Sequence, residues 1–216
     1  MYRFRMQASS SRNQPQQRAF WLRQLHQWHW ISSAICLVAM LVFAITGFTL
    51  NHAAQIEAHP VVSQNEAQLP ANLLKALQKA RDDEANAVPP QVSAWLNSEM
   101  GIRDPGQAPE WSPEEVYVAM PRPGGDAWLR VSLEDGHAEY ELTDRGWISF
   151  LNDLHKGRNT GAVWNWLIDI FALACLIFSI TGLLLLKMHA ANRRSTWPLV
   201  AGGLVIPLLC ILLFIH

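Results

Sequence analysis

Residues 150–187 decide the fold, and they read FLNDLHKGRNTGAVWNWLIDIFALACLIFSITGLLLLK. A polar approach that contains His155 leads into an apolar run over 163–186, where only Asn165 and Asp169 are strongly polar. A run of this length can cross a hydrocarbon core of about 30 Å as a helix. The stretch therefore predicts a transmembrane helix with a histidine placed just before it.

The residues before this span have helical periodicity. Trp147, Leu151 and His155 recur at every fourth position, which places the histidine on or beside the apolar face of a helix. We expect this helix to lie on the membrane surface and to point its imidazole inward.

Two further apolar stretches, at 31–50 and 197–215, are also about as long as a spanning helix. The sequence thus predicts three transmembrane helices. The stretch at 31–50 is longer than the apolar region of a cleaved signal peptide, which has about 7–15 residues. We therefore expect it to be an uncleaved anchor.

Charged residues are distributed unevenly along the chain. Before residue 31 there are arginines and no acid, residues 187–196 are basic, and every acid except Asp169 lies within 51–161. Short basic flanks favour the cytoplasmic side. The N-terminus and the 187–196 loop are therefore expected in the cytoplasm. The 51–161 region and the C-terminal His216 are expected outside, which is the periplasm if the organism is Gram-negative.

The external region has the pattern of a small α+β unit. Residues 70–83 and 91–100 have helical periodicity, and Gly101 is placed to end the second helix. Three alternating stretches with turn residues between them predict an antiparallel meander, at 116–120, 128–133 and 137–142. Residues 51–69 are expected to form a connector, and the polar residues 1–18 are expected to be disordered.

The first membrane segment repeats the pattern of the second. Leu25-His26 precedes one apolar run, as Leu154-His155 precedes the other. The sequence FAITG at 43–47 matches FSITG at 178–182. Because the two copies are expected to cross in opposite directions, they predict an inverted repeat about an axis in the membrane plane.

This repeat groups the histidines by side of the membrane. A further histidine follows each Thr-Gly pair, His52 in the first copy and His189 in the second. The symmetry would bring His52 to the same side as His155. It would bring His26 or His29 to the same side as His189.

Several motifs together resemble the PepSY-associated transmembrane family. They are RQLHQW at 23–28, TGFTLNH at 46–52, LNDLHKGR at 151–158, the Thr181-Gly182 pair and the Asp135-Gly136 turn. The resemblance covers about 23–187. It implies a protein of the bacterial inner (cytoplasmic) membrane with a periplasmic PepSY-like domain. It also implies a relationship to PepSY-type siderophore-iron reductases, some of which carry b-type haem on transmembrane histidines.

The expected fold is an α-helical integral membrane protein with inverted-repeat histidine motifs and a small α+β PepSY-like periplasmic domain. Its expected segments follow the chain in order: a cytoplasmic segment at 1–30, the first span at 31–52, the α+β domain at 53–145, an interfacial helix and loop at 146–160, the second span at 161–188, a cytoplasmic loop at 189–196, and the third span at 197–216.

Given this resemblance, the matched histidines are candidate haem ligands. Neutral imidazole binds haem iron, and bis-histidine ligation needs two rings that face one another. His52 with His155 is the expected external pair, and His189 with His29 or His26 is the expected cytoplasmic pair. No CxxCH motif is present, so one or two b haems would be held non-covalently.

Other polar residues near the spans have two readings each. Arg158 fits a haem propionate or, equally, a lipid headgroup. Asp169 is an intramembrane acid that would orient a ligating histidine or face another helix. The Thr46-Gly47 and Thr181-Gly182 pairs are typical of close helix packing.

The expected function is that of a haem-b-binding inner-membrane electron-transfer protein that passes electrons to a periplasmic acceptor. The acceptor would be a ferric siderophore, another iron chelate or a periplasmic redox protein, and with a chelate the protein would act as a haem-dependent reductase. No GxGxxG or P-loop motif is present, so quinol or a redox protein is the expected donor.

The alternative is a non-redox, membrane-anchored PepSY module that docks a periplasmic partner protein. An anchor of this kind needs none of the histidines, which is how the two functions differ. Gly202 and Gly203 offer a close-approach surface on the third span, so we expect a homodimer or a complex with another membrane protein within the lipid bilayer. The acidic external domain gives no support to nucleic-acid binding.

Overall fold

A computed structural model describes residues 10–57, 59–103, 107–190 and 193–215, with side chains from Pro15 onwards. In chain order the elements are α1 (Ser10–Asn51), β1 (Val61–Gln68), α2 (Ala71–Asp82), α3 (Pro90–Met100), β2 (Glu110–Trp111), β3 (Glu115–Ala119), β4 (Gly125–Ser132), β5 (His137–Asp144), α4 (Gly146–Lys156), α5 (Gly161–His189) and α6 (Thr196–Phe214).

Three of the helices, α1, α5 and α6, are long and apolar enough to cross a membrane. The prediction of three apolar spanning helices is confirmed at this level. Most of their side chains are exposed in the isolated chain, and α6 is exposed along nearly all of its length. Lipid tails are as apolar as these side chains, so this exposure is what a bilayer requires.

The first helix begins earlier than the sequence suggested. The prediction of disorder over 1–18 is wrong for residues 10–18, which belong to α1. Gln, Arg and Ala are good helix formers, and they extend a helix that the apolar segment has already nucleated. Residues 1–9 and His216, whose external position was predicted, lie outside the described residues.

The chain divides into two compact units. One holds the residues up to Leu41 together with those from Leu167 onwards, and the other holds Val42–Trp166. The second unit contains a five-stranded antiparallel sheet in the order β1-β5-β4-β3-β2. Strands β3, β4 and β5 are those of the predicted meander.

The core of the sheet domain lies between one face of the sheet and helices α2 and α3. Side chains alternate along β3 and β4, so that Val116, Val118, Leu129 and Val131 are fully buried. They form one cluster with buried side chains of the two helices, namely Leu77, Val92, Leu96 and Met100. Gly101, with φ 69°, ends α3 as predicted.

The prediction of a connector over 51–69 is wrong for residues 61–68, which form β1. This strand pairs with β5 along its whole length, from Val61 opposite Asp144 to Gln68 opposite His137. Nearly all of its side chains are exposed on both faces. The missing alternation of apolar and polar residues explains why the pattern did not reveal it.

The turn between β3 and β4 packs directly on α4. Gly124 in this turn has φ 73°, and a Cβ placed on it would lie 2.7 Å from the Cα of Phe150. The Gly124 N–H donates to Oδ2 of the buried Asp153 at 2.9 Å. Only glycine allows both this backbone conformation and this approach. The sheet domain therefore holds α4, the helix that carries His155.

Helix α4 ends immediately after its histidine. Gly157 adopts the left-handed conformation with φ 66° and closes the helix. The indole N–H of Trp164 donates to the carbonyl of Leu154 at 2.9 Å. These bonds satisfy groups at the end of α4 and fix the last turn, on which His155 lies.

Candidate functional site

His155 on α4 is hydrogen-bonded to Thr46 on α1. Its Nδ1 lies 2.7 Å from the hydroxyl oxygen of Thr46. That hydroxyl also lies 2.9 Å from the carbonyl of Val42 and 3.2 Å from that of Phe43. A carbonyl can only accept, so when the single hydroxyl proton goes to the helix, Nδ1–H of His155 is the donor to Thr46. In the neutral ring, Nε2 then keeps a free lone pair.

The ring of His155 fills a space that Gly47 leaves open. A Cβ on Gly47 would lie 3.4 Å from Cε1 and 4.0 Å from Nε2 of the imidazole. The ring of Phe43, one turn earlier on α1, lies 4.8 Å away between centroids. Three residues after Thr46, the hydroxyl oxygen of Thr49 lies 3.0 Å from Oδ1 of Asn152 and 2.9 Å from the carbonyl of Thr46. These contacts hold α4 against this part of α1.

His29 on α1 makes the same arrangement with α5. Its Nδ1 lies 3.1 Å from the hydroxyl oxygen of Thr181 and 3.2 Å from the carbonyl of Phe178. The Thr181 hydroxyl donates within its own helix, to Ile177 at 2.7 Å. The ring stacks on Phe178 at 4.5 Å, and a Cβ on Gly182 would lie 3.2 Å from its Cε1. Nδ1–H is again the donor, and Nε2 is again free.

His155 and His29 therefore each pack on a segment of the form Phe-x-x-Thr-Gly. His155 packs on residues 43–47, and His29 packs on 178–182. By its contacts, His29 is the counterpart of His155. The Leu-His repeat in the sequence instead aligns His155 with His26, which lies one turn before His29 on α1.

His26 instead faces His189. The two ring centroids lie 5.9 Å apart with an interplanar angle of 86°. Each Nδ1 lies close to a carbonyl four residues earlier, Leu22 at 2.7 Å and Leu185 at 2.8 Å. Both rings are exposed. Of the two candidate partners of His189, the structure brings His26 to it and brings His29 to Thr181.

His52 contacts its own helix. Its Nδ1 lies 2.9 Å from the carbonyl of Phe48, and the two rings lie 4.4 Å apart. Within the part of the chain that the structure describes, no hydrogen bond or ring contact joins His52 to His155. Both residues belong to the same compact unit, and Nε2 of His52 is left free by the same donor count.

All five candidate histidines thus use Nδ1 as a donor to a fixed oxygen. Histidines that bind metals usually donate their other ring N–H to such an acceptor, which fixes the tautomer and the ring orientation. A ring fixed in this way leaves Nε2 as the atom that could bind haem iron, which needs two imidazoles. Among the described residues, one ring contact joins two of the five candidate histidines, that between His26 and His189. Among the described residues, no group of three or more His, Cys, Asp and Glu side chains is placed to hold a metal ion.

The remaining candidates are peripheral to these contacts. Arg158 is exposed, and its backbone N–H donates to the carbonyl of Asp153 at 2.9 Å. Asp169 is exposed on α5, and no bond to a histidine is seen for it in the described residues. The cysteines Cys36, Cys175 and Cys210 are free thiols. Residues that the sequence did not single out for chemistry, Thr46 and Thr181, make the most direct contacts with the histidines.

Comparison with known proteins identifies the family. The family model described as PepSY_TM-like matches residues 20–216. The chain belongs to the PepSY_TM-like family. The match takes in the three apolar helices of this PepSY_TM-like protein, its sheet domain and all five candidate histidines. Searches of curated proteins and of solved structures gave no match.

Proposed function

We propose that this protein is a haem-b-binding electron carrier of the bacterial inner membrane that reduces a periplasmic acceptor. One observation carries the proposal: two half-buried histidines each place Nδ1 within hydrogen-bond distance of a threonine hydroxyl on a second helix. Donation from Nδ1–H to that hydroxyl would leave a free lone pair on Nε2. A membrane anchor without redox function would need neither of these hydrogen-bonded histidines.

The chain offers ligands for one or two haems. His155 with His52 would hold one, and His189 with His29 or His26 would hold the other. A bound haem b would supply one-electron chemistry between ferric and ferrous iron. The chain's own contribution is to keep each Nε2 unprotonated, to orient the rings, and to keep water away with apolar helices. The exposed guanidinium of Arg158 suits a propionate, or equally a lipid headgroup.

The basic flanks of the spans support the orientation. With the N-terminus and the 187–196 loop in the cytoplasm, the α+β domain would be periplasmic and His155 would lie at the external face. The acceptor would then be a ferric siderophore, another iron chelate or a redox protein. Quinol or a redox protein would supply the electrons.

The test is the haem content and the dithionite-reduced absorption spectrum of the purified full chain. We expect a low-spin b-type spectrum in the wild type. With two sites, His155→Ala and His189→Ala each lose about half of the haem. With one external site, His155→Ala loses nearly all of it and His189→Ala loses none. His137→Ala, on the sheet, is the matched control and should keep all of it.

The proposal is wrong if the wild type, produced with an ample haem supply, carries no haem. It is equally wrong if both variants keep the full wild-type spectrum. The second candidate function, a docking module for a periplasmic protein, would then take its place.

One observation favours that second candidate. A cleft of about 640 Å³ lies where the sheet meets α4. Leu142, Trp147 and Phe150 are among its lining residues, and Trp147 is 73% exposed. Exposed aromatic side chains are common at protein interfaces. Site-specific photo-crosslinking from Trp147 in intact cells would test it: a defined protein adduct supports docking, and lipid adducts alone contradict it.

A further inference from the structure

We infer that Thr46 and Thr181 are positioning residues, whose hydroxyl groups fix the tautomer of His155 and His29 and so make Nε2 the ligand atom. The inference rests on the proposed haem function. It concerns side chains whose repeated Thr-Gly motif the sequence analysis interpreted as typical of close helix packing.

The geometry separates this role from packing. Thr46 and Thr181 each donate their hydroxyl proton to a carbonyl of their own helix, so neither needs a histidine to satisfy it. The histidines, however, need an acceptor for Nδ1–H in an apolar setting, because an unpaired polar group there is costly. The threonine oxygen supplies it through its remaining lone pairs.

The glycine after each threonine completes the arrangement. A Cβ at Gly47 or Gly182 would lie within 3.4 Å of Cε1 of the imidazole. At Gly182 the imidazole would have to shift by a few tenths of an ångström to admit a Cβ, whereas at Gly47 a Cβ would make an ordinary van der Waals contact with the ring. At both Thr-Gly pairs, the threonine hydroxyl therefore lies next to the space left by the glycine. An imidazole needs both in order to approach the helix and bond to the hydroxyl through Nδ1.

The two positions differ in one respect that sharpens the test. Nδ1 of His29 has a second acceptor, the carbonyl of Phe178 at 3.2 Å. For His155 the structure shows no acceptor besides Thr46 among the described residues. Thr46→Val should therefore release His155 from its tautomer, whereas Thr181→Val should affect His29 less.

The first measurement needs no haem. In the haem-free full chain labelled with ¹⁵N-histidine, at a pH where the rings are neutral, ¹⁵N NMR shifts report which ring nitrogen carries the proton. We expect Nδ1–H for His155 and His29 in the wild type. Thr46→Val should move His155 toward Nε2–H, and Thr46→Ser should restore the wild-type signal.

The matched control is Thr49→Val, one turn later on the same helix. Thr49 also joins α1 to α4, through Asn152, but no contact between Thr49 and a histidine is seen among the residues that the structure describes. Thr49→Val should leave the His155 signal in place. If Thr49→Val shifts this signal as much as Thr46→Val, or if Thr46→Val leaves the tautomer unchanged, the positioning role is overturned.

The second measurement uses the haem-loaded chain. A donated Nδ1–H makes a ligand more basic, and losing such an outer partner typically weakens metal binding by about 10–100-fold. We expect Thr46→Val to weaken haem binding by about tenfold or more and to raise the reduction potential, with Thr46→Ser close to wild type. A wild type without haem defeats the proposed function, whereas the NMR result still decides the tautomer.

Discussion

The contact between Gly124 and α4 predicts a large cost for one added methyl group. Gly124 and Gly101 have nearly equal φ angles, 73° and 69°. A Cβ on Gly124 would lie 2.7 Å from two atoms of Phe150, whereas a Cβ on Gly101 would meet no atom of the described residues within 4 Å. Replacing each by alanine therefore separates the cost of the backbone conformation from the cost of the clash.

The left-handed conformation costs an alanine about 1–2 kcal/mol, and this cost is common to both variants. Overpacking a tight contact adds about 1–3 kcal/mol. We therefore expect Gly101→Ala to lower the free energy of unfolding of the sheet domain by about 1–2 kcal/mol. The expected loss for Gly124→Ala is about 2–5 kcal/mol. The bond to Asp153 would lengthen as the turn moves away from α4.

The assay is urea unfolding of the full chain in detergent, followed by hydrogen-exchange mass spectrometry of β4 and β5 peptides. These peptides report the sheet domain rather than the apolar helices. The reasoning is refuted if Gly124→Ala costs no more than Gly101→Ala, since the turn would then not be in tight contact with α4.

Three further outcomes are expected. An alkaline phosphatase fused after His216 should be active and one fused after Arg194 inactive, and the reverse pattern would overturn the predicted topology. Native mass spectrometry should show a homodimer or a hetero-complex that Gly203→Leu weakens, while a haem-loaded monomer alone would contradict it. The Ser132 hydroxyl and the His137 N–H lower the pKa of Asp135. The free energy of unfolding of the wild type should therefore exceed that of Asp135→Asn at neutral pH, and this difference should be lost as the pH falls below about 4. A difference that persists in acid would contradict the prediction.

Strong periodicity made most of the fold predictable. The apolar runs, the helices α2 and α3, and the strands β3 to β5 follow from local patterns. Strand β1 does not, because an exposed edge strand with the sequence VVSQNEAQ buries neither face and needs no alternation. Its position is set by pairing with β5, which is a long-range contact.

The site was predictable only in part. His155 on a helix before the second span follows from spacing, and the structure confirms that helix as α4. The bonds from His155 to Thr46 and from His29 to Thr181 join residues more than 100 positions apart. The repetition of the two Thr-Gly pairs is visible in the sequence. Which histidine bonds to each threonine depends on how each helix is rotated about its axis, which the local pattern does not determine.

Asp169 affects the depth at which α5 would lie in a bilayer. The helix has 29 residues, so it is about 43 Å long and exceeds a hydrocarbon core of about 30 Å. Because the helix is longer than the hydrocarbon core is thick, it could shift along its axis at little cost in free energy if it were apolar throughout. The exposed carboxyl of Asp169 removes that freedom, because a charge at the centre of the bilayer costs about 2.5–3.5 kcal/mol. We therefore expect Asp169 to limit how deeply α5 enters the bilayer, and with it the depth at which Thr181 meets His29.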